Sequence, residues 1–297
     1  LSFGSYTIIS SMGLDLDVGQ LSALLTYSFM MLMSLMMLSM VFVMITMAGE
    51  STKRIIEVLS EKSTLTNPEN PVFEVADGSV DFDGVSFRYS EKSERMALSG
   101  IDLHIKSGET IGIIGGTGSA KSTLVNLISR LYDVTEGSVK VGGRDVREYD
   151  IETLRSQVAV VLQKNQLFSG TIKDNLRWGN KEATDEEMVH VCRLAQADDF
   201  ISQFPDGYDT YIEQGGTNVS GGQKQRLCIA RALLKKPKVL IFDDSTSAVD
   251  TKTDACIRKA LREFMPETTK IIIAQRTASV EDADRIVVMD GGRIMAV

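Results

Sequence analysis

Residues 110–128 read TIGIIGGTGSAKSTLVNLI, and this stretch decides the fold of the domain that contains it. The run Thr110–Ile114 is mostly apolar and branched, which predicts a buried β-strand. Small residues follow from Gly115 to Ala120, and the pattern of Lys121–Arg130 predicts a helix. The sequence therefore predicts a strand, a loop of small residues and a helix in immediate succession.

The loop GGTGSAKS at residues 115–122 has the spacing of a phosphate-binding P-loop, except that Ala120 replaces the glycine before the lysine. Backbone N–H groups of such a loop point at phosphate oxygens, Lys121 supplies positive charge and the Ser122 hydroxyl can ligate Mg²⁺. We expect ATP binding to survive the extra methyl group of Ala120, because alanine is a good helix former at a helix start. The predicted ATP-binding residues of this segment are Gly115, Thr117, Gly118, Ser119, Ala120, Lys121, Ser122 and Thr123.

A second apolar run ends in two carboxylates. Residues Val239–Phe242 predict a buried strand, and Asp243 and Asp244 follow it directly. Alone, two acids after a strand most often lie in a solvated loop, but here the same domain carries a P-loop. In such domains the first aspartate of the pair reaches Mg²⁺. We therefore predict that Asp243 and Ser122 both serve a Mg²⁺ ion.

The surrounding sequence alternates between strand-like and helix-like patterns. Strand-like runs occupy Val80–Phe87, Val158–Leu162 and Lys270–Ala274, and Glu186–Ala195 has a helical pattern. This alternation predicts an α/β domain with a largely parallel sheet, and the P-loop within it indicates an α/β domain of the P-loop NTPase type.

An apolar segment precedes this domain. No charged residue occurs from Val18 to Gly49, and the run Leu21–Met47 exceeds the ~20 residues that span the hydrocarbon core of a bilayer. We predict a transmembrane helix over about residues 20–48. A buried soluble helix would rarely lack a polar face over this length, and a cleaved signal peptide would be shorter. Lys53 and Arg54 follow the helix, which places its C-terminal end in the cytoplasm.

The chain of 297 residues divides into three predicted segments. Residues 1–62 form the end of a membrane domain, residues 63–72 form a polar linker with two prolines, and residues 73–297 form the α/β domain. The uncharged residues 1–12 are too short to span a bilayer, and the chain opens on leucine rather than methionine. We therefore expect residues 1–12 to belong to a truncated upstream helix.

Composition excludes several classes of protein. A net charge of −8 with a pI near 5.0 excludes a strongly basic surface, so we expect no nucleic-acid partner. With 43% hydrophobic and 24% charged residues, the chain is not of the disordered class. Cys192, Cys228 and Cys256 lack CxxC spacing, so we expect three buried structural thiols and a cytosolic soluble part.

The segment VSGGQKQR at residues 219–226 lies between the P-loop and the second apolar strand, and this order resembles the nucleotide-binding domain of ABC transporters. The resemblance covers about residues 73–297, and a helical pattern follows the motif at Gln225–Leu234. The preceding apolar helix looks like the end of an exporter-type transmembrane domain. Members of the family normally continue beyond the point at which this chain stops.

The resemblance implies roles for residues that their own patterns leave open. Tyr89 falls where the family stacks an aromatic ring on adenine, and Gln163 falls where a glutamine meets Mg²⁺ and senses the membrane domain. Asp250 ends the segment Ser247–Asp250, which in the family crosses the dimer interface. The residues implied to act on the ATP of a partner subunit are Ser220, Gly221, Gly222 and Gln223.

Two positions depart from the family pattern. Asp244 stands where the family has its catalytic glutamate, and Gln275 stands where it has the switch histidine. Aspartate is one methylene shorter than glutamate, and neutral glutamine cannot become a cation beside the γ-phosphate. We therefore expect this site to hold ATP and cleave it poorly, as in the degenerate half of heterodimeric exporters. The histidines, His104 and His190, lie elsewhere, and we interpret both as structural.

The resemblance implies an ATP-binding and ATPase subunit of an exporter for drugs or other amphipathic molecules. It implies a second half-transporter as partner, contact with membrane lipid, and a multi-pass protein of the cell membrane whose nucleotide-binding domain is cytoplasmic. Two alternatives stay open: a homodimeric lipid or peptide exporter, and a nucleotide-gated regulatory module without turnover. A soluble ABC ATPase of DNA repair or translation is disfavoured by the charge-free run from Val18 to Gly49.

Overall fold

The computed structural model describes residues 2–12, 17–244, 249–275 and 277–297. The chain separates into two compact units, the first ending at Thr64 and the second comprising Leu65–Val297. The predicted linker residues from Leu65 onward thus group with the second unit. There the side-chain amide of Asn67 donates a hydrogen bond of 2.6 Å to Oδ1 of Asp150.

The first unit contains two helices, α1 (Ser2–Ser10) and α2 (Val18–Ser60). Helix α2 begins after Asp17, whose backbone N–H donates to Oε1 of Gln20 at 3.1 Å. With 43 residues it is about 65 Å long. Within the described residues it is the one helix long and apolar enough to cross a membrane, by length and composition.

Hydroxyl groups in the apolar part of α2 find acceptors within the helix itself. Five of them donate hydrogen bonds of 2.7 to 3.1 Å to the backbone carbonyl four residues earlier. A hydroxyl satisfied in this way needs no water. These residues are Thr26, Ser28, Ser34, Ser39 and Thr46.

The second unit is an α/β domain. Its strands are β1 (Val80–Phe87), β2 (Leu98–Ile105), β3 (Thr110–Gly115), β4 (Glu136–Val141), β5 (Arg144–Asp145), β6 (Val158–Val161), β7 (Gly170–Thr171), β8 (Tyr211–Ile212), β9 (Val239–Asp243), β10 (Thr269–Ile273), β11 (Arg285–Asp290) and β12 (Arg293–Ala296). Its α-helices are α3 (Lys121–Ile128), α4 (Ile151–Gln157), α5 (Ile172–Arg177), α6 (Asp185–Leu194), α7 (Asp198–Ile201), α8 (Gly221–Leu233) and α9 (Thr251–Phe264).

A six-stranded sheet in the order β12-β11-β3-β10-β9-β6 forms the centre of the domain. All its neighbouring strands run parallel except the pair β11 and β12. The predicted α/β fold with a largely parallel sheet is therefore confirmed. A separate antiparallel sheet in the order β2-β1-β4-β5 was not predicted as a unit.

Hydrophobic side chains on the two faces of the parallel sheet belong to two different cores. Ile271 and Ile273 of β10 lie in a core shared with the antiparallel sheet and helix α3. Ile272 lies in the other core, which contains residues of helices α5, α6, α8 and α9. Alternate residues of one strand point to opposite faces, so β10 contributes to both cores.

Most predicted elements of the α/β domain occur within two residues of their predicted bounds, with one exception. Helix α8 begins at Gly221, four residues before the predicted Gln225. The prediction of three buried thiols is wrong for Cys256, which is exposed, whereas Cys192 and Cys228 are buried. Ile257 is the buried neighbour in α9, and a residue one position away points about 100° around the helix.

Candidate nucleotide-binding site

The register of the parallel sheet brings the ends of four strands to one edge. Ile273 of β10 pairs with Ile113 of β3 on one side and with Asp243 of β9 on the other. Strand β6 lies beyond β9, where Val161 pairs with Phe242. Loops after these strands therefore meet at the carboxyl edge of the sheet. They carry the P-loop, Asp244, Gln275 and Gln163.

Lys121 lies over the P-loop and donates hydrogen bonds into it. Its Nζ atom is 2.8 Å from the carbonyl oxygen of Gly115, 2.9 Å from that of Gly116 and 3.1 Å from Oγ of Ser119. The ammonium group is thus held at the N-terminal end of α3, where the helix dipole is also positive. Both features favour an anion at this position.

Two backbone positions of the P-loop have special requirements. A Cβ atom at Gly115 would lie 2.2 Å from the carbonyl oxygen of Met289, so only glycine fits there without movement. Ala120 has φ 70° and ψ 24°, a left-handed conformation, and precedes the first helical residue. Helix propensity was therefore the wrong reason to expect alanine to be tolerated. An L-residue in this conformation costs about 1–2 kcal/mol, which the fold of the loop sustains.

A cavity of about 500 Å³ opens beside the P-loop. It is lined by Tyr89 on one side and by the residues from Gly118 to Thr123 on the other. Tyr89 is 56% exposed, and its hydroxyl is 2.9 Å from Oγ1 of Thr123. An exposed aromatic ring at the rim of a phosphate-binding loop offers a stacking surface for a base.

Some lining residues of this cavity lie outside the sequence motifs described above. Gly292 is one of them: a Cβ atom there would lie 2.3 Å from the carbonyl oxygen of Ala97. This close approach joins the turn after β11 to the segment before β2, and it could be found only from the fold. The residues concerned are Ser93, Arg95, Met96, Ala97, Gly291 and Gly292.

Two of the three predicted Mg²⁺ ligands, Ser122 and Asp243, lie together. Oγ of Ser122 donates a hydrogen bond of 3.0 Å to Oδ1 of Asp243. Burial raises the pKa of the Asp243 carboxyl, and the neighbouring Asp244 charge raises it further, while the Ser122 hydrogen bond and Lys121 oppose the shift. A half-buried carboxylate beside a hydroxyl fits Mg²⁺, which prefers oxygen ligands. Gln163 lies at the same edge of the sheet and has an amide oxygen to add to this set.

Asp244, Gln163 and Gln275 form a hydrogen-bonded group. One carboxylate oxygen of Asp244, Oδ2, accepts from Nε2 of Gln163 at 2.9 Å and from Nε2 of Gln275 at 2.7 Å. The backbone N–H of Asp244 donates to the carbonyl of Ile273 at 3.0 Å, and its φ is 47°. Both amide hydrogen bonds fall on the same carboxylate oxygen, so they occupy the two lone-pair sites of Oδ2 and set the orientation of the carboxylate. The sequence placed these residues near one another and did not predict this contact.

Comparison with known proteins decides the family. The family model described as ABC transporter matches residues 98–247, half of the chain and the whole stretch from β2 to the segment after Asp244. The chain belongs to the ABC transporter family. The resemblance drawn from the P-loop and residues 219–226 is therefore confirmed.

Three similar proteins extend this finding. An uncharacterized ABC transporter ATP-binding protein of Mycobacterium tuberculosis is 43% identical over 99% of this chain and 50% of that protein. A multidrug efflux ATP-binding/permease protein of the same organism is 41% identical over 82% of this chain and 20% of that protein. A solved structure of a bacterial Atm1-family ABC exporter with ATP bound has a TM-score of 0.81 at 33% identity, over 98% of this chain and 51% of that one. This ABC transporter chain spans about half the length of the first relative and of the exporter.

In this ABC transporter chain the segment VSGGQKQR at residues 219–226 contains the start of helix α8. Ser220 is the N-cap: its Oγ accepts from the N–H of Gln223 at 3.3 Å, and its own N–H donates to Oε1 of Gln223 at 2.9 Å. Gly221 and Gly222 form the first turn of a 13-residue helix. Among the described residues that line the cavity beside the P-loop, none belongs to this segment. The N-terminus of α8 therefore does not line the cavity beside the P-loop.

Asp250 begins helix α9 as its N-cap. Its Oδ1 accepts a hydrogen bond of 3.0 Å from the N–H of Thr253, and this bond lowers the pKa of the Asp250 carboxyl. Ser247, which the resemblance assigns to the same interface loop, lies outside the described residues. The assignment of this loop to a dimer interface stays a prediction.

Proposed function

We propose that this chain is the ATP-binding half of a heterodimeric exporter of drugs or other amphipathic molecules, and that its own site holds Mg-ATP with little hydrolysis. The observation that carries the second part is the pair of amide hydrogen bonds on Oδ2 of Asp244, from Gln163 and Gln275. Neither donor is cationic, and neither can become cationic beside a γ-phosphate. Asp244, at the position of the catalytic glutamate, thus accepts a hydrogen bond from the neutral amide of Gln275, at the position of the switch histidine.

Binding of Mg-ATP would use neither Asp244 nor Gln275, and it shares only Gln163 with this hydrogen-bonded group. Tyr89 stacks on adenine, Lys121 moves from the loop carbonyls to phosphate oxygens, and Thr123 stays beside them. Ser122, Asp243 and Gln163 would hold Mg²⁺, which neutralises charge on the β- and γ-phosphates when bound. Because Asp244 and Gln275, at the hydrolytic positions, are not needed for binding, the site can retain ATP without turnover.

Export requires a membrane domain and a partner, and both belong to the proposal. Helix α2 has the length and composition of a spanning helix, and five hydroxyls of its apolar part donate hydrogen bonds within the helix. We propose that its C-terminal end and the α/β domain are cytoplasmic, since Lys53 and Arg54 follow the apolar stretch. The exposed start of α8, with Ser220, Gly221, Gly222 and Gln223, would complete the ATP site of the partner. Identification of a second half-transporter with glutamate and histidine at the positions of Asp244 and Gln275 would support the heterodimer.

We expect Lys121→Ala to weaken ATP binding at this site by about ten- to a hundredfold. The substitution removes a charged donor of phosphate hydrogen bonds, for which ~1.5–3 kcal/mol is typical. The measurement is calorimetric or fluorescence titration of the full-length protein with Mg-ATP. Lys140→Ala is a matched control, because it removes an exposed lysine that pairs with Asp83 at 2.9 Å on the antiparallel sheet. Equal ATP affinity in Lys121→Ala and in the unmodified protein would overturn the assignment of the site.

A further inference from the structure

Three aromatic rings meet beside the P-loop cavity. The ring centroids of Phe87 and Tyr89 are 4.9 Å apart, and those of Tyr89 and Tyr132 are 5.1 Å apart. Phe87 and Tyr132 are themselves 5.5 Å apart. Both neighbours stand nearly perpendicular to Tyr89, at 78° and 89°. These are the edge-to-face geometries that stabilise aromatic pairs.

The three rings differ in their exposure. Phe87 is 3% exposed and ends strand β1, so it forms the floor of the cluster. Tyr89 is 56% exposed and Tyr132 is 41% exposed. An exposed tyrosine on a loop would ordinarily sample several rotamers. Here two perpendicular rings and the hydrogen bond to Thr123 fix Tyr89 in one orientation while part of its ring stays accessible.

Tyr132 is fixed by the chain reversal at the end of helix α3. Arg130 has φ 48°, which ends the helix, and its Nε donates to Oδ1 of Asp133 at 2.9 Å. The N–H of Leu131 bonds to the carbonyl of Asn126 at 3.0 Å. Tyr132 thus lies between Leu131 and Asp133, which both form hydrogen bonds within this reversal. Tyr132 itself belongs to no sequence motif.

Helix α3 therefore connects two parts of the cavity. Its first residues, Lys121, Ser122 and Thr123, line the cavity beside the P-loop, and the reversal after its last residue carries Tyr132 against Tyr89. The helix has eight residues, about 12 Å in length. One rigid element thus sets the position of the phosphate-binding groups and supports the ring proposed to stack on adenine.

We propose that Tyr132 is a positioning residue for base binding: it holds the ring of Tyr89 in the orientation that stacks on adenine. The inference rests on the proposed binding of ATP at this site. Tyr132 acts through Tyr89 and does not touch phosphate. Its contribution should therefore appear only with ligands that have a base.

The test compares ATP with inorganic tripolyphosphate, which has the phosphate chain and no base. Titrations use the full-length protein in detergent with Mg²⁺ present. We expect Tyr132→Leu to weaken ATP binding by about three- to tenfold, the size of one aromatic pair, and to change tripolyphosphate affinity by less than about twofold. Tyr132→Phe keeps the ring and should retain ATP affinity within about twofold. Tyr211→Leu is the matched control, since Tyr211 is an exposed tyrosine of β8 outside the cavity.

A double-mutant cycle separates positioning from general loss of stability. In a Tyr89→Leu background, Tyr132→Leu should cause no further loss of ATP affinity, because its target ring is gone. Equal weakening of ATP and tripolyphosphate, an unchanged ATP affinity in Tyr132→Leu, or additive effects of the two substitutions would each overturn the inference. If the unmodified protein binds neither ligand, the proposed function itself fails, and this outcome is distinct from the others.

Discussion

We expect the double variant Asp244→Glu, Gln275→His to hydrolyse ATP at this chain's site at least about 10²-fold faster than the unmodified chain. A positioned general base contributes roughly 10²- to 10⁴-fold, and glutamate adds the methylene that Asp244 lacks. Imidazole can become a cation and stabilise charge that develops on the γ-phosphate. The substitution also removes the Gln275 amide that donates to Asp244 at 2.7 Å.

The measurement is single-turnover hydrolysis in the assembled complex, with the catalytic glutamate of the partner changed to Gln so that only this site can react. Asp244→Glu, Gln275→Asn is the matched control, because it lengthens the acid and keeps a neutral amide at the second position. An equal rate in the unmodified chain and in the Glu, His variant would contradict the assigned roles of both positions.

We expect Ser220→Arg to lower the turnover of the full complex by about 10²-fold or more, while ATP still binds the P-loop of this chain. The arginine removes the hydroxyl and fills the space before the first turn of α8, where the partner's ATP is proposed to bind. Loss of one preorganised donor at a reacting centre costs about 10²- to 10³-fold in turnover. Steady-state ATPase activity and ATP titration of the same preparation measure the two effects.

Thr184→Arg provides a control for loss of a helix cap. Thr184 is the N-cap of α6 and forms the same capping box, with hydrogen bonds of 3.1 and 3.2 Å to Glu187. Its replacement costs about 1 kcal/mol of stability, as does that of Ser220, and touches no proposed site. Full turnover in Ser220→Arg, or equal loss in both variants, would show that Ser220 acts on no partner site.

Sequence patterns did not predict the parallel strand β11, which is only partly buried. They were sufficient for the parallel strands β3, β6, β9 and β10, because these strands are largely buried and read as continuous apolar runs, as in Val239–Phe242. Sequence patterns were insufficient where contacts between residues, rather than local sequence, determine the structure. Two glycines after Ser220 read as a turn, yet the capping box with Gln223 starts α8 there. The antiparallel sheet depends on pairing across distant segments, such as Val80 with Val141, which no local pattern predicts.

The candidate site shows the same division. Lys121, Ser122 and Asp243 were predicted from motif and chemistry, and the structure brings them together. The joint hydrogen bonds of Gln163 and Gln275 to Asp244 depend on the register of β6, β9 and β10, so the sequence could not give them. No sequence pattern pointed to Tyr132, because its proposed role depends on its contact with the ring of Tyr89, which only the fold shows.

The most direct measurement for the proposed degenerate site is single-turnover hydrolysis by the unmodified chain. The assay uses a complex in which the partner's catalytic glutamate is changed to Gln, so that Asp244 and Gln275 of this chain serve the remaining reacting site. We predict a rate at least about 10²-fold below that of an intact exporter site, with the ATP at this site still uncleaved after a time in which an intact exporter site completes many turnovers. Cleavage at the rate of an intact exporter site would contradict the proposal and favour a symmetric mechanism.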